Sequence, residues 1–202
     1  MKPMLRVGLT GGLASGKSSV AAILRGLGAV VFDADEIVKD LYVPGGAGAQ
    51  AARELFGDAV LDTSGKIDRS LIAAIVFADP AKRHALEARI HPLVRAERAR
   101  RFAEAEKSGA SVAVAEASQL LESNSESDYD RVLLVIAPEA ERIRRWEAKG
   151  GHAQDAIRRI RSQMSPSAAF DRADDVVTND GTLEELREKV KALWQRWEAS
   201  KS

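Results

Sequence analysis

Leu5-Arg6-Val7-Gly8-Leu9-Thr10 runs straight into Gly11-Gly12-Leu13-Ala14-Ser15-Gly16-Lys17-Ser18, and this stretch decides the fold. Its first six residues are short and largely apolar, as suits a buried strand that feeds a tight glycine turn. From Ser18 to Leu27, the side chains Val20, Ile23, Leu24 and Leu27 share one helical face, and Gly28 stands where a helix stop belongs. Val30-Val31-Phe32 then resumes as a second strand. Strand, glycine turn, helix and strand make a βαβ unit, so the spelling predicts a parallel sheet in an α/β protein.

The glycine turn matches G-x-x-x-x-G-K-[ST] at every fixed position and falls between the first strand and the first helix, the context its mechanism requires. Glycine takes positive φ and has no Cβ, so successive N–H groups there can point inward around a phosphate at a helix's positive end. A triphosphate tail fits such a cradle. Lys17 is expected to reach the β- and γ-phosphates, and the Ser18 hydroxyl to take one position on Mg²⁺.

Further along, from Asp35 to Lys107, no alternating strand is visible, while helical spacing recurs in Leu71, Ile72, Ile75 and Val76 and in Leu86, Ile90, Leu93 and Val94. This block reads as a helical insertion with loops at Pro44-Gly45-Gly46 and Thr63-Ser64-Gly65. The sheet resumes with Val112-Ala113-Val114-Ala115 and Val132-Leu133-Leu134-Val135-Ile136, and Val176-Val177 is a short last strand candidate. Glu139 to Arg161 is rich in basic residues (Arg142, Arg144, Arg145, Lys149, Arg158, Arg159 and Arg161), which taken alone describes a solvated helical face. Thr182-Leu183-Glu184-Glu185 is a capping box that opens a final helix. Leu183, Leu186, Val190, Leu193, Trp194 and Trp197 give that helix one apolar stripe, expected in the core.

Composition narrows the class. With 202 residues, 45% of them hydrophobic, the chain can bury a sizeable core. Thirty Lys and Arg balance thirty Asp and Glu, which argues against a general polyanion binder. No cysteine is present, which excludes a disulfide framework and a Cys-ligated metal. No apolar run approaches the roughly 18 to 20 residues of a membrane span, and Met1 to Thr10 lacks the pattern of a signal peptide. The expectation is a cytoplasmic protein without nucleic-acid or membrane partners, a monomer or weak homo-oligomer.

A phosphate-binding loop does not name the acceptor. An Asn-Lys-x-Asp guanine reader is absent, and Asp62-Thr63-Ser64-Gly65, within the insertion, reads as a turn. The neutral charge offers no nucleic-acid groove, so a compact small-molecule kinase is favoured. Asp33 follows the second strand, on the carboxyl rim where ligands sit in open α/β sheets. An acid there serves either as a helix cap or as a catalytic group; Asp35, before Ile37, suits a cap, and Asp33 beside the loop suits chemistry.

Taken in order, Gly8-Leu9-Thr10-Gly11-Gly12 with Ser15-Gly16-Lys17-Ser18, Asp33-Ala34-Asp35, Pro44-Gly45-Gly46, Val76-Phe77 with Asp79-Pro80, His91-Pro92-Leu93-Val94, and Ala173-Asp174-Asp175-Val176-Val177 with Asn179-Asp180-Gly181 make the chain resemble the dephospho-CoA kinase family along nearly its whole length. The resemblance implies transfer of the ATP γ-phosphoryl to the ribose 3′-hydroxyl of dephospho-CoA, giving CoA and ADP. It implies a P-loop core (residues 1–34, 108–138 and 174–202), a helical acceptor-binding insertion (35–107) and a helical lid (139–173). By the same likeness Asp33 meets the acceptor hydroxyl, Lys17 and Arg145 serve the transferred phosphoryl, and Gly11 through Ser19, with Asn179 and Gly181, bind the nucleotide. Asp35, His91 and Pro92 fall on the acceptor side, although His91 is equally readable as a buried, satisfied core histidine.

Two strings depart from the family pattern. Glu116-Ala117-Ser118-Gln119-Leu120-Leu121-Glu122 replaces Asp-x-Pro-Leu-Leu-Phe-Glu, leaving Glu116 as a ligand of Mg²⁺ through water, and Lys149-Gly150-Gly151 replaces Arg-Asp-Gly, keeping a charge but not an arginine fork. The alternatives are another P-loop kinase acting on a nucleoside, nucleotide or small alcohol, or a non-catalytic ATP-binding regulatory module.

Overall fold

The structure, a computed structural model, describes residues 3–200. The chain runs β1 (Leu5–Gly11), α1 (Lys17–Gly26), β2 (Val30–Asp33), α2 (Ala34–Leu41), α3 (Ala47–Phe56), α4 (Arg69–Ala78), α5 (Pro80–Lys107), β3 (Val112–Glu116), β4 (Arg131–Ile136), α6 (Glu139–Glu147), α7 (Ala153–Ser162), α8 (Pro166–Phe170), β5 (Asp175–Thr178) and α9 (Leu183–Ser200). The expected α/β fold with a parallel sheet is present. Its five strands lie in the order β2-β3-β1-β4-β5, every pair parallel.

The central strand, β1, is flanked by β3, with Val7 opposite Val114, and by β4, with Leu9 opposite Leu133. Both faces of such a strand are covered, which is why it reads as a near-continuous apolar run. On one face Val7, Leu9, Val112, Val114, Leu133, Val135 and Val177 meet Val20, Ala21 and Leu24 of α1 and Leu186, Val190, Leu193 and Trp197 of α9. On the other face, a Cβ at Gly8 would run into Leu120 and Tyr129, so the loop after β3 packs directly on the strand backbone. Leu183, expected in the α9 stripe, is instead 58% exposed, because it stands on the first turn. The capping box forms as spelled: Glu185 N–H donates to Thr182 Oγ1 at 3.2 Å and Thr182 N–H donates back to Glu185 Oε2 at 2.7 Å.

Compactness divides the chain into two units, one of residues up to Asp33 together with those from Glu104 onward, the other Ala34–Ala103. The second unit is helical, with a single antiparallel bridge, Leu61 to Ile67, across the Asp62–Gly65 turn. Its own core contains Ala51, Ala52, Val60, Ile72, Leu86 and Ile90, with Ile75, Val76, Leu93 and Val94 packed against them. Leu71, placed in that stripe by spacing, is 39% exposed. Among the described residues no helix is long and apolar enough to cross a membrane.

Candidate active site

The loop between β1 and α1 closes on itself before the helix starts: Ser15 N–H donates to the Gly12 carbonyl at 3.2 Å. Gly16, just ahead of α1, has φ 103° and ψ 21°, left-handed values that glycine adopts without strain, and a Cβ there would collide with Asn179 Nδ2. Ala14 is also left-handed, with φ 54°. Such alternation turns peptide N–H groups towards a common centre, and the amino end of α1 adds its own unbonded N–H groups and positive dipole there. Lys17 Nζ reaches back over the loop to the Gly11 carbonyl at 2.7 Å and the Gly12 carbonyl at 3.4 Å.

A cavity of about 450 Å³ opens at this point, lined by Ala14 through Ser19, Glu116, Ser118, Arg144, Arg145, Ala148, Lys149 and Asn179. Four of those side chains are cationic and the loop amides converge on the same space, so the cavity suits a polyphosphate. At its edge the Ser18 hydroxyl donates to Glu116 Oε1 at 3.1 Å. An alcohol oxygen beside a carboxylate oxygen is the hard donor set that Mg²⁺ accepts when phosphates and water fill its other positions. The longer side chain of Glu116 therefore does not keep it from Ser18. Among the described residues no cluster of three or more His, Asp or Glu forms a cage for a metal.

Asp33 ends β2 in register with Glu116 at the end of β3, half-buried on the same carboxyl rim as the loop. α2 begins at the next residue, Ala34, so the Asp35 expected to cap it instead occupies its first turn, exposed. His91 and Pro92 lie on α5 in the second unit and both are exposed. The reading of His91 as a buried core residue is thus corrected: Leu86, Ile90, Leu93 and Val94 supply the inner face of that helix and leave position 91 outside.

The basic stretch divides by helical face. Arg144, Arg158 and Arg159 are exposed and pair with Glu141 and Asp155 along their own helices, the solvated behaviour expected of a charge run. Arg145 instead turns onto the loop, donating to the Ser15 carbonyl at 3.3 Å and to the Asn179 carbonyl at 3.1 Å. Asn179, only 7% exposed, donates its amide to the same Ser15 carbonyl at 2.8 Å. Gly181 is exposed beside Glu185, in the turn that leads into α9.

Two loop partners were not among the site residues expected from the sequence. Arg142 Nε donates to the Leu13 carbonyl at 2.8 Å and its Nη2 donates to Gln163 Oε1 at 2.7 Å. The same Gln163 oxygen accepts the Leu13 N–H at 3.0 Å. Arg142 and Gln163 line a second, mostly apolar cavity of about 330 Å³ with Gly11, Gly12, Leu134, Ile136 and Met164. Desolvation there lowers the pKa of Arg142 below its ordinary value, against a smaller opposing pull from Glu139.

Comparison with known proteins gives this arrangement a family. The family model described as dephospho-CoA kinase matches residues 5–185. The dephospho-CoA kinase of Frankia casuarinae is 42% identical over 192 residues, covering 95% of this chain and 83% of that protein. That of Geobacter sulfurreducens is 38% identical over 191 residues, covering 94% and 97%. A crystal structure from Thermus thermophilus superposes with a TM-score of 0.81 at 35% identity, covering 96% and 98% of the two chains. A shikimate kinase from Acinetobacter baumannii, 14% identical with a TM-score of 0.54 over 96% of this chain and 95% of its own, shares the fold.

Proposed function

The chain belongs to the dephospho-CoA kinase family, and we propose that the loop, Asp33, Glu116 and the lid arginines divide the work of its reaction as follows. The protein phosphorylates dephospho-CoA with ATP, a step in the synthesis of CoA. The loop amides and the amino end of α1 bind the nucleotide's phosphates, and Lys17 exchanges the Gly11 and Gly12 carbonyls for phosphate oxygens when ATP enters.

Asp33 receives the ribose 3′-hydroxyl of the acceptor. As that oxygen bonds to the γ-phosphorus and the bond to the ADP oxygen breaks, the hydroxyl proton passes to the Asp33 carboxylate. The transition state is loose, with charge on the equatorial oxygens, so alignment and compensation of that charge carry most of the catalysis. Lys17 and Arg145 supply the compensation from the protein. Ser18 and Glu116 would hold Mg²⁺, which when bound would offset the negative charge of the phosphates. Residues 139–173 act as the lid that keeps water from the γ-phosphate. By family likeness, residues 35–107, with Asp35, His91 and Pro92, serve acceptor binding. The demand for ATP favours a cytoplasmic site of action.

One observation carries this assignment: Asp33 and Glu116 adjoin on the carboxyl rim, and Glu116 is already bonded to the loop's Ser18. The test is ADP release with ATP and Mg²⁺ against a panel of hydroxyl acceptors. Release with dephospho-CoA, and little with nucleosides, nucleotides or shikimate, supports the reading; equal release with shikimate or with no acceptor overturns it.

A further inference from the structure

Arg142 grips the loop from outside the cavity that suits a polyphosphate. It lines the apolar cavity beside Gly11 and Gly12 and is not among the walls of the polyphosphate cavity, whereas Ala14 lines the polyphosphate cavity and not the apolar one. In a trans peptide the carbonyl of one residue and the N–H of the next point in opposite directions. A guanidinium that holds the Leu13 carbonyl on one side therefore fixes the Ala14 N–H on the other. Gln163 completes the hold, since its oxygen takes both the Leu13 N–H and the second arm of Arg142, which leaves the Leu13 unit bonded at both of its polar groups.

We propose that Arg142 and Gln163 form a positioning clamp on Leu13 that aims the Ala14 N–H at the nucleotide's phosphates, so that the first turn of α6 and the carboxyl end of α7 set the loop's shape before ATP arrives. The geometry is specific to arginine. Nε and Nη2 of one fork reach two acceptors on different segments, which the single ammonium of lysine cannot do at once. No carboxylate neutralises the half-buried guanidinium through a hydrogen bond or salt bridge among those the structure gives it; its bonds go to a carbonyl and an amide oxygen, and burial costs it some of its basicity. Gly12 belongs to the same device, because a Cβ on it would collide with Arg142 Nη2 and come within 2.9 Å of Gln163 Oε1.

The clamp rests on the proposed function only for the choice of nucleotide, and ADP binding is measured separately from transfer. Calorimetry with ADP and Mg²⁺, hydrogen exchange at the Leu13 amide, and kcat with dephospho-CoA are followed in Arg142→Ala, Arg142→Lys, Gln163→Ala and Gln163→Glu. Arg142→Ala and Gln163→Ala are each expected to weaken ADP by about tenfold, the worth of one well-made hydrogen bond, and to speed Leu13 exchange while exchange in the sheet stays slow. Gln163→Glu restores most of the loss because a carboxylate oxygen accepts from the same two donors; Arg142→Lys does not. The double alanine variant is no weaker than either single one, since Arg142 and Gln163 are bonded to each other and hold the same residue. Unchanged ADP affinity with a collapse in kcat, or full rescue by lysine, overturns the clamp. If Arg142→Ala fails to fold, the Gln163 pair decides alone. Wild-type protein that binds ADP yet does not phosphorylate dephospho-CoA refutes the assigned reaction and leaves the clamp test standing.

Discussion

Asp33 and Glu116 stand side by side in parallel register at the carboxyl ends of β2 and β3. Neighbouring strands lie about 4.8 Å apart, so two carboxylates share one small stretch of rim. Their company differs: Glu116 accepts the Ser18 hydroxyl, next to the phosphate loop, while Asp33 sits one strand further out. In the proposed division of work one acid serves the metal and the other the acceptor, and single substitutions separate the two duties.

Asp33→Asn keeps size and shape but loses the proton acceptor. It is expected to lower kcat by roughly 10² to 10⁴, the usual worth of a general base, with ATP affinity and melting temperature near wild type. Steady-state kinetics beside a thermal melt checks this, and near-normal turnover removes Asp33 from catalysis.

If Glu116 serves the metal as proposed, Glu116→Gln weakens the hold on Mg²⁺ without emptying the position. The Mg²⁺ concentration for half-maximal activity is expected to rise about tenfold, with activity recovering at saturating metal. A magnesium titration identical to wild type sinks the ligand role.

Arg145→Ala removes a cation from the cavity wall and two bonds that steady the Ser15 and Asn179 carbonyls. Turnover is expected to suffer more than ATP binding, because charge on the transferring phosphoryl is compensated most strongly in the transition state. Comparison of kcat with ATP affinity from calorimetry decides it; equal losses in the two point to a purely structural part.

Acid should loosen the helical unit through Glu97. Its carboxylate takes a two-pronged hydrogen bond from Arg100 at 2.7 Å on each arm and another from Arg101 at 3.1 Å. The arginines lower its pKa from 4.5 to about 2. A pKa depressed by folding means stability that is complete above about 4.5 and lost as pH falls through about 2. The side chain is 26% exposed, so solvent screening keeps the contribution at or below about 1 kcal/mol, some 2 to 4 °C in melting temperature. Glu97→Gln should melt lower than wild type at pH 7 and lose less on acidification to pH 3; parallel curves for the two proteins count against it.

Much of this was legible in the sequence because it is local. The phosphate loop, the strands on either side of α1 and the Thr182–Glu185 box are each fixed by neighbours within a few residues. The strand order was not legible, since pairing β1 with β3 and β4 depends on contacts across more than a hundred residues. The basic run shows the boundary between the two. Arg142 and Arg145 are three apart and so share a helical face, a signal present in the spelling, but which face meets the loop is set by where β4 delivers α6. Gln163 carried no local signal at all. His91 is exposed on α5 for a related reason: spacing names an apolar face only when the whole helix is phased, and position 91 falls off that face.

A strand at the middle of a sheet, made first and partnered late, has a consequence for synthesis on the ribosome. Until Val112–Glu116 and Arg131–Ile136 emerge, the amino-terminal strand has neither neighbour and the nascent chain holds no nucleotide, while the contiguous helices of Ala34–Ala103 form from contacts already translated. Prematurely released fragments that stop short of Arg131 therefore leave an apolar ribbon unmatched on one side, a substrate for chaperones and proteases rather than a weaker enzyme.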